Sequence, residues 1–313
     1  MPTPRSGPAL LDWGLLAMLG LIWGAAFLGV EVALESLPPL WVAAGRISLA
    51  AALLVGVAYL TGDRLPGFQT ATQRRIWLHC LGMGLFTNAI PFSMLSWGQQ
   101  IVTSSFAGIT MAVVPLFVLP LSHFLVPGER LSPARVIGFL TGFGGVVLLV
   151  GGDRLFASTS QGADSSDGMM LMAQLACVGA SCCYACGSII TRLCPPVGTL
   201  TFAAAGLLCA SIGILPLAYI VHGLPAAVST SSWLGMVFLA LLPTGLATIL
   251  LTIIIRRAGP PFLSLVNYQV PVWAVLIGVG ILGEALPGHF VAALVTILIG
   301  LAVSQRLHRA NAV

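Results

Sequence analysis

Residues 76–128 read IWLHCLGMGLFTNAIPFSMLSWGQQIVTSSFAGITMAVVPLFVLPLSHFLVPG, and between Arg75 and Glu129 the chain has no Asp, Glu, Lys or Arg. The same holds between Arg192 and Arg256. A membrane helix needs about 20 consecutive apolar residues, so each gap holds two spans and a turn. The rest of the sequence agrees. Of 313 residues, 58% are hydrophobic and 7% charged, with a mean hydropathy of +1.03. A soluble domain carries about 25% charged residues. A globule with so little charge could not cover its own surface, and a disordered chain needs the opposite composition. The chain is predicted to be an all-α integral membrane protein, not a soluble enzyme.

Turn signals at Pro38-Pro39, Gly62-Asp63, Gly98, Pro127-Gly128, Pro195-Pro196, Pro260-Pro261 and Pro287-Gly288 divide the apolar runs into ten spans. They cover 13–33, 40–60, 76–97, 101–126, 134–151, 169–191, 198–221, 233–255, 262–282 and 288–304. The first run is too long for a signal peptide and reads as a retained span. All 13 basic residues are Arg. With the N-terminus inside, eleven of them fall on the cytoplasmic side, Arg154 alone falls opposite, and Arg46 lies within a span. That asymmetry predicts both termini in the cytoplasm. The arginines come in ones and twos, which gives no basic patch for nucleic acid.

Internal repetition follows from four landmarks. Trp77 and Trp233 are 156 residues apart, as are Pro115 and Pro271; Pro38-Pro39 and Pro195-Pro196 are 157 apart; Glu129 and Glu284 are 155 apart. The shared order argues against chance. Five spans is an odd number, so the second half enters the membrane from the opposite side. The expected architecture is two inverted five-helix repeats, residues 11–152 and 168–305, joined by a loop over 153–167, with a substrate site near the midplane between them.

The motifs at these places resemble a known family. Leu21-Ile-Trp23-Gly24-Ala-Ala-Phe27, then Pro38-Pro39 followed by Arg46, is similar to the opening of an EamA domain. Val114-Pro115-Leu-Phe, Gly128-Glu129-Arg130-Leu-Ser and Ile137-Gly138 through Gly144-Gly145-Val-Val-Leu resemble its close. Val270-Pro271-Val-Trp-Ala, Leu282-Gly283-Glu284-Ala-Leu and Ile299-Gly300 repeat that close in the second half. The resemblance runs from about 11 to 305 and implies the drug/metabolite transporter superfamily, with ten helices and transport of small metabolites, commonly amino acids outward. Two departures stand out. Glu31 occupies a place where the family often has a basic residue, and the repeat offset sets Ala203 opposite Arg46.

Polar side chains on apolar spans face a cavity or a partner helix, because facing lipid is costly. Ser181, Tyr184, Ser188 and Thr191 share one helical face, and Thr244, Thr248 and Thr252 form another stripe. Ser264, Asn267, Tyr268 and Pro271 share a face, Asn88, Phe92, Leu95 and Gln99 form a line, and Trp23, Phe27 and Val30 recur on the first span. We take Trp23, Phe27, Asn88, Tyr184, Ser188, Thr244, Thr248, Asn267 and Tyr268 as candidate substrate-binding residues. The threonine stripe and the first-span aromatics fit a packing face equally well. Pro115 and Pro271 break their helices at matching places, with Met111 and Ala112 one turn earlier in the first half and Asn267 and Tyr268 in the second.

Arg46 sits about 9 Å below the outer end of its helix, at a depth similar to Glu31 across the Pro38 hairpin. Two fates are open to it, an ion pair with Glu31 or snorkelling to the outer surface. No His lies at mid-depth beside a carboxylate, so the pocket is expected to be uncharged and its substrate neutral, zwitterionic or amphipathic. An intramembrane enzyme would need a motif such as HExxH, paired core aspartates, or a Ser with a His at its depth, and none is present. A non-transporting scaffold is disfavoured by the inverted repeat. Four of the seven cysteines crowd into Cys177–Cys186, but in an apolar run rather than on turns with partner ligands. They read as small helix residues, with no metal or cofactor. The expected partners are a small molecule and the lipid bilayer, which leaves oligomeric state open.

Overall fold

Pro38 is extended, with φ −61° and ψ 148°, and Pro39 takes the first turn of the next helix, where its missing N–H costs nothing. Local chemistry of this kind sets the helix ends in a computed structural model that describes residues 8–129, 131–156 and 165–310. The helices are α1 (Leu10–Leu34), α2 (Pro39–Leu60), α3 (Ala71–Gly98), α4 (Ser104–Leu125), α5 (Pro133–Phe156), α6 (Ser165–Arg192), α7 (Thr199–His222), α8 (Thr230–Ala258), α9 (Val266–Gly280) and α10 (Gly288–Ala310). No strand occurs among the described residues. Eight helices, α1 to α8, are long and apolar enough to cross a membrane. α9 and the described apolar part of α10, Gly288–Ser304, are shorter.

The ends differ from expectation for physical reasons. α3 starts earlier than 76 because Thr70 and Gln73 form a capping box that draws the polar residues before Ile76 into the helix. α9 has 15 residues, about 22 Å, because a one-turn helix, Pro260–Leu263, and a turn at 264–265 take up its expected beginning. Of the segment 153–167, residues 157–164 lie outside the described residues, while helix continues to Phe156 and resumes at Ser165. Arg5 and Arg130, both counted in the arginine asymmetry, also lie outside them.

Packing follows the repeat offset. α5 packs on α10 and α2 on α7; α1 meets α9 and α8, while α6 meets α4 and α3. The α5–α10 contact depends on glycine. A Cβ on Gly300 would strike the backbone of Gly142 and Gly138. Interruptions also match: π-helical turns occupy Gly84–Ala89 in α3 and Ala240–Leu246 in α8.

The two acidic landmarks do different work. Gly283, at φ 66°, turns the chain after α9. Glu284 then accepts from the backbone N–H groups of Ser104 (2.7 Å) and Ser105 (2.9 Å), capping α4 with a carboxylate. At the matching place in the second half stand Pro260 and Pro261, which have no N–H to offer. Glu129 instead pairs with Arg192 at 2.7 Å and Arg135 at 3.2 Å. On the same face Asp12, at the start of α1, holds Arg257 of α8 at 2.6 Å.

Two outcomes follow from this packing. Gly300→Ala should destabilise the protein by about 1–3 kcal/mol through overpacking. Gly144→Ala, with nothing within 4 Å of the added Cβ, should melt like the parent in the same detergent. Equal melting of all three would move the α5–α10 contact off these glycines. The second outcome concerns acid. The hydrogen bond from Arg192, aided by that from Arg135, holds the Glu129 carboxyl below the usual carboxylate range. A depressed folded value means that this stability is full above the unfolded value, about 4.3, and is lost as pH falls through the folded one. Glu129→Gln should therefore melt below the parent at pH 7, with the gap closing under acid. A gap that ignores pH would refute the pairing.

Candidate functional site

Pro243 has no N–H, so the Leu239 carbonyl one turn back lacks its i+4 donor, and the chain passes into the i+5 pattern of a π-helical turn. The Thr244 hydroxyl donates to that carbonyl at 2.8 Å, within the π-helical turn. Its oxygen keeps lone pairs, and one accepts Arg46 Nε at 2.8 Å. The Pro243 carbonyl accepts the Trp23 indole N–H at 3.1 Å. One proline thus ties α8 to α1 and α2.

Arg46 is 7% exposed. Its guanidinium carbon lies 3.7 Å from the Phe92 ring centroid, over the ring face. Phe92 meets Tyr184 edge-on at 6.4 Å. Among the described residues no carboxylate lies within salt-bridge distance of Arg46, and Thr244 is its one hydrogen-bond partner. The pair with Glu31 does not form, and Arg46 does not reach the outer surface either. The two point different ways: Glu31 faces Gln99, Ser104 and Glu284, while Arg46 turns toward Thr244 of α8.

These side chains line a cavity of about 410 Å³ to which every helix except α5 and α10 contributes. Trp23, Phe27, Asn88, Tyr184, Thr244, Thr248 and Asn267 all border it. Asn88 lies in the π-helical turn of α3 and donates to Met83 Sδ at 3.4 Å. Thr248 returns its hydroxyl to the Thr244 carbonyl at 2.7 Å. Met111 and Val114 of α4 border it as well, as do Asn267 and Val270 at the matching positions of α9.

Two candidates fall elsewhere. Ser188 is exposed and donates to Ala185 of its own helix at 2.7 Å. It sits about 40° around α6 from Tyr184, whereas Thr191, about 20° to the other side, borders the cavity. Tyr268 is half-buried and outside the lining, because one step from Asn267 turns about 100°. The helix breaks also differ from expectation. A 3-10 turn, Met111–Val113, precedes Pro115, whereas α9 runs through Pro271, which leaves the Asn267 carbonyl without an i+4 donor.

The expectation of an uncharged pocket is corrected by Arg46, whose charge lines it. Arg46 was visible in sequence as the one arginine within a span, but its partner was not. Thr87, half-buried with a buried hydroxyl that finds no hydrogen-bond partner among the described residues, and Phe202 also line the wall. Phe202 carried no sequence signal beyond general apolarity, whereas Thr87 is a polar residue on an apolar span that falls off the Asn88-Phe92-Leu95-Gln99 line. Toward the end of the bundle that bears Arg192, the cavity reaches Thr191 and Thr199. At the other end the Gln99 amide donates to the Phe27 carbonyl at 3.0 Å and to Ser104 Oγ at 3.2 Å. Beyond it Ser231 donates to Glu35 at 2.5 Å and the Ser36 hydroxyl accepts from Ser229 N at 3.0 Å.

Comparison with known proteins agrees with this architecture. The EamA-like transporter family matches twice, over residues 12–151 and 170–305. The inner membrane transporter YedA of Escherichia coli, itself uncharacterized, is 31% identical over 278 residues, 88% of this chain and 84% of that protein. The aromatic amino acid exporter YddG of Ancylobacter novellus is 29% identical over 293 residues, 93% of this chain and 92% of that one. A crystal structure at 24% identity has a TM-score of 0.65, covers 96% of this chain and 99% of its own, and shares the fold. These relatives indicate a multi-pass inner membrane transporter of a small molecule rather than an enzyme. The chain belongs to the EamA-like transporter family, within the drug/metabolite transporter superfamily.

Proposed function

We propose that this protein exports small metabolites by alternating access, with ten spans in two inverted repeats, residues 11–152 and 168–305, and both termini in the cytoplasm. The observation that carries the reading is the cavity enclosed jointly by helices of both halves, beside π-helical turns at matching repeat positions. π-helical turns collect at functional sites. A volume of about 410 Å³ lies in the range of small-molecule sites. Its aromatic walls suit an amino acid or a compound of similar size, in keeping with the substrate in the name of YddG. With the arginine-rich face inside, the described state faces the cytoplasm: the cavity reaches Thr191 and Thr199, and Gln99 closes its outer end. The Asp12–Arg257 and Glu129–Arg192 pairs stand on the face that must close in the opposite state.

Uptake and efflux of a metabolite panel in proteoliposomes, with and without a pH gradient, test the reading; a panel with no protein-dependent flux would sink it. Reporter fusions after His222 and after Arg257 should report opposite sides, the former outside. If both report one side, the inverted arrangement is wrong.

The unequal walls give a sharper expectation. Asn267→Ala should weaken transport of a polar metabolite about tenfold, the effect of one lost hydrogen bond of about 1.4 kcal/mol, with little change in melting temperature. Tyr268→Phe and Met111→Leu should be nearly silent. Loss of stability with unchanged affinity in Asn267→Ala would make Asn267 a packing residue.

A further inference from the structure

Among the described residues Arg46 is a buried cation without an anion. Its guanidinium offers five N–H donors, of which the Nε–H is taken by Thr244. Arginine does not deprotonate in proteins, so the charge persists whether or not the cavity is filled. Among the described residues no Asp or Glu borders the cavity, and Glu31 faces Gln99, Ser104 and Glu284 instead. An unpaired charge at this depth is costly and marks a functional site by default. Nothing among the described residues completes it.

The geometry points to a carboxylate. We propose that Arg46 receives the carboxylate of the transported molecule, so that the cavity selects small monocarboxylates, amino acids included, with a compact apolar or aromatic body. The inference rests on the transport reading above and names its substrate class. The Nε bond to Thr244 and the face of Phe92 hold the guanidinium in one place before any ligand arrives. A planar fork fixed in this way matches a carboxylate through two parallel bonds. The body of the ligand then lies against Trp23, Phe27 and Met111.

The same charge sets what is refused. Ala203, the repeat counterpart of Arg46, also borders the cavity and brings no second cation. A dicarboxylate would leave one charge unmatched, and a simple amine would face Arg46 with no acid to hold it. The ammonium of a zwitterion is tolerated because its own carboxylate sits on Arg46 and carbonyl or amide oxygens at Pro243 and Asn267 remain nearby.

The test uses the purified full-length protein in nanodiscs and reads equilibrium binding by intrinsic tryptophan fluorescence and thermal shift. The probes share one body: 3-phenylpropionate, phenylalanine, 3-phenylpropionamide and phenethylamine. Both carboxylates should bind at least tenfold more tightly than the amide, the scale expected of a charged hydrogen bond, and the amine should not bind. Arg46→Gln should abolish that preference, and Arg46→Lys should recover part of it. The empty Arg46→Gln protein should melt no lower than the parent, because it loses an unpaired buried charge; a purely structural arginine predicts the reverse. Equal binding of carboxylate and amide, carboxylate binding untouched by Arg46→Gln, or no binding by either carboxylate would overturn the proposal. So would displacement by chloride at matched ionic strength with no preference among organic bodies. If Arg46→Gln does not accumulate, the ligand series on the parent and on Arg46→Lys decides alone. Binding that depends on Arg46 without flux would fail the transport reading and leave this one standing. Flux indifferent to Arg46 would do the opposite.

Discussion

The missing N–H of Pro243 organises the centre of this protein. It removes the i+4 donor of the Leu239 carbonyl and turns the helix to π geometry, where the Thr244 hydroxyl also donates to that carbonyl; Thr244 in turn anchors Arg46, while the Pro243 carbonyl takes the Trp23 indole. In an aqueous loop, water would satisfy such groups at little cost. Among membrane helices no water competes, so each freed group must find a protein partner or line a cavity. The chain of partners here leads from one backbone defect to three helices and ends on a cation at the cavity wall. That sequence of obligations ties the interruption of α8 to the chemistry of the site.

The two halves share a plan and divide the labour. Matching positions carry Arg46 against Ala203 and Met111 against Asn267. All four line one space. A strictly symmetric pair of repeats would offer a ligand two equivalent poses, and the differences remove that degeneracy. The common scaffold repeats one helix packing in both halves, while the unlike residues make the two walls of the cavity chemically different.

Periodicity made much of this legible. The apolar runs, the repeat offset and the lines Trp23-Phe27-Val30 and Asn88-Phe92-Leu95-Gln99 were readable because a regular helix repeats its faces, and both lines border the cavity. What escaped lies where regularity stops. The partner of Arg46 is 198 residues away and lies in a π-helical turn of another helix. Glu31 was expected at the depth of Arg46, but depth says nothing about azimuth. Ser188 and Tyr268 were lost to rotations of one or a few residues, and α9 came out short because two prolines and a turn consumed its beginning.

Glu129 and Glu284 began as one landmark and ended as two kinds of clasp. Glu284 grips peptide N–H groups in a partly buried cap at the start of α4, a contact shielded from mobile ions. Glu129 grips Arg192 and Arg135 at the opposite face, where the Arg192 side chain is 52% exposed. Dissolved electrolyte screens exposed pairs over about 8 Å at physiological ionic strength and hardly touches buried ones. The two mouths of this transporter are therefore held by forces of different salt sensitivity. Dissolved ions loosen the arginine face and leave the capped face almost untouched, an asymmetry that traces to Pro260 and Pro261 having no hydrogen to give.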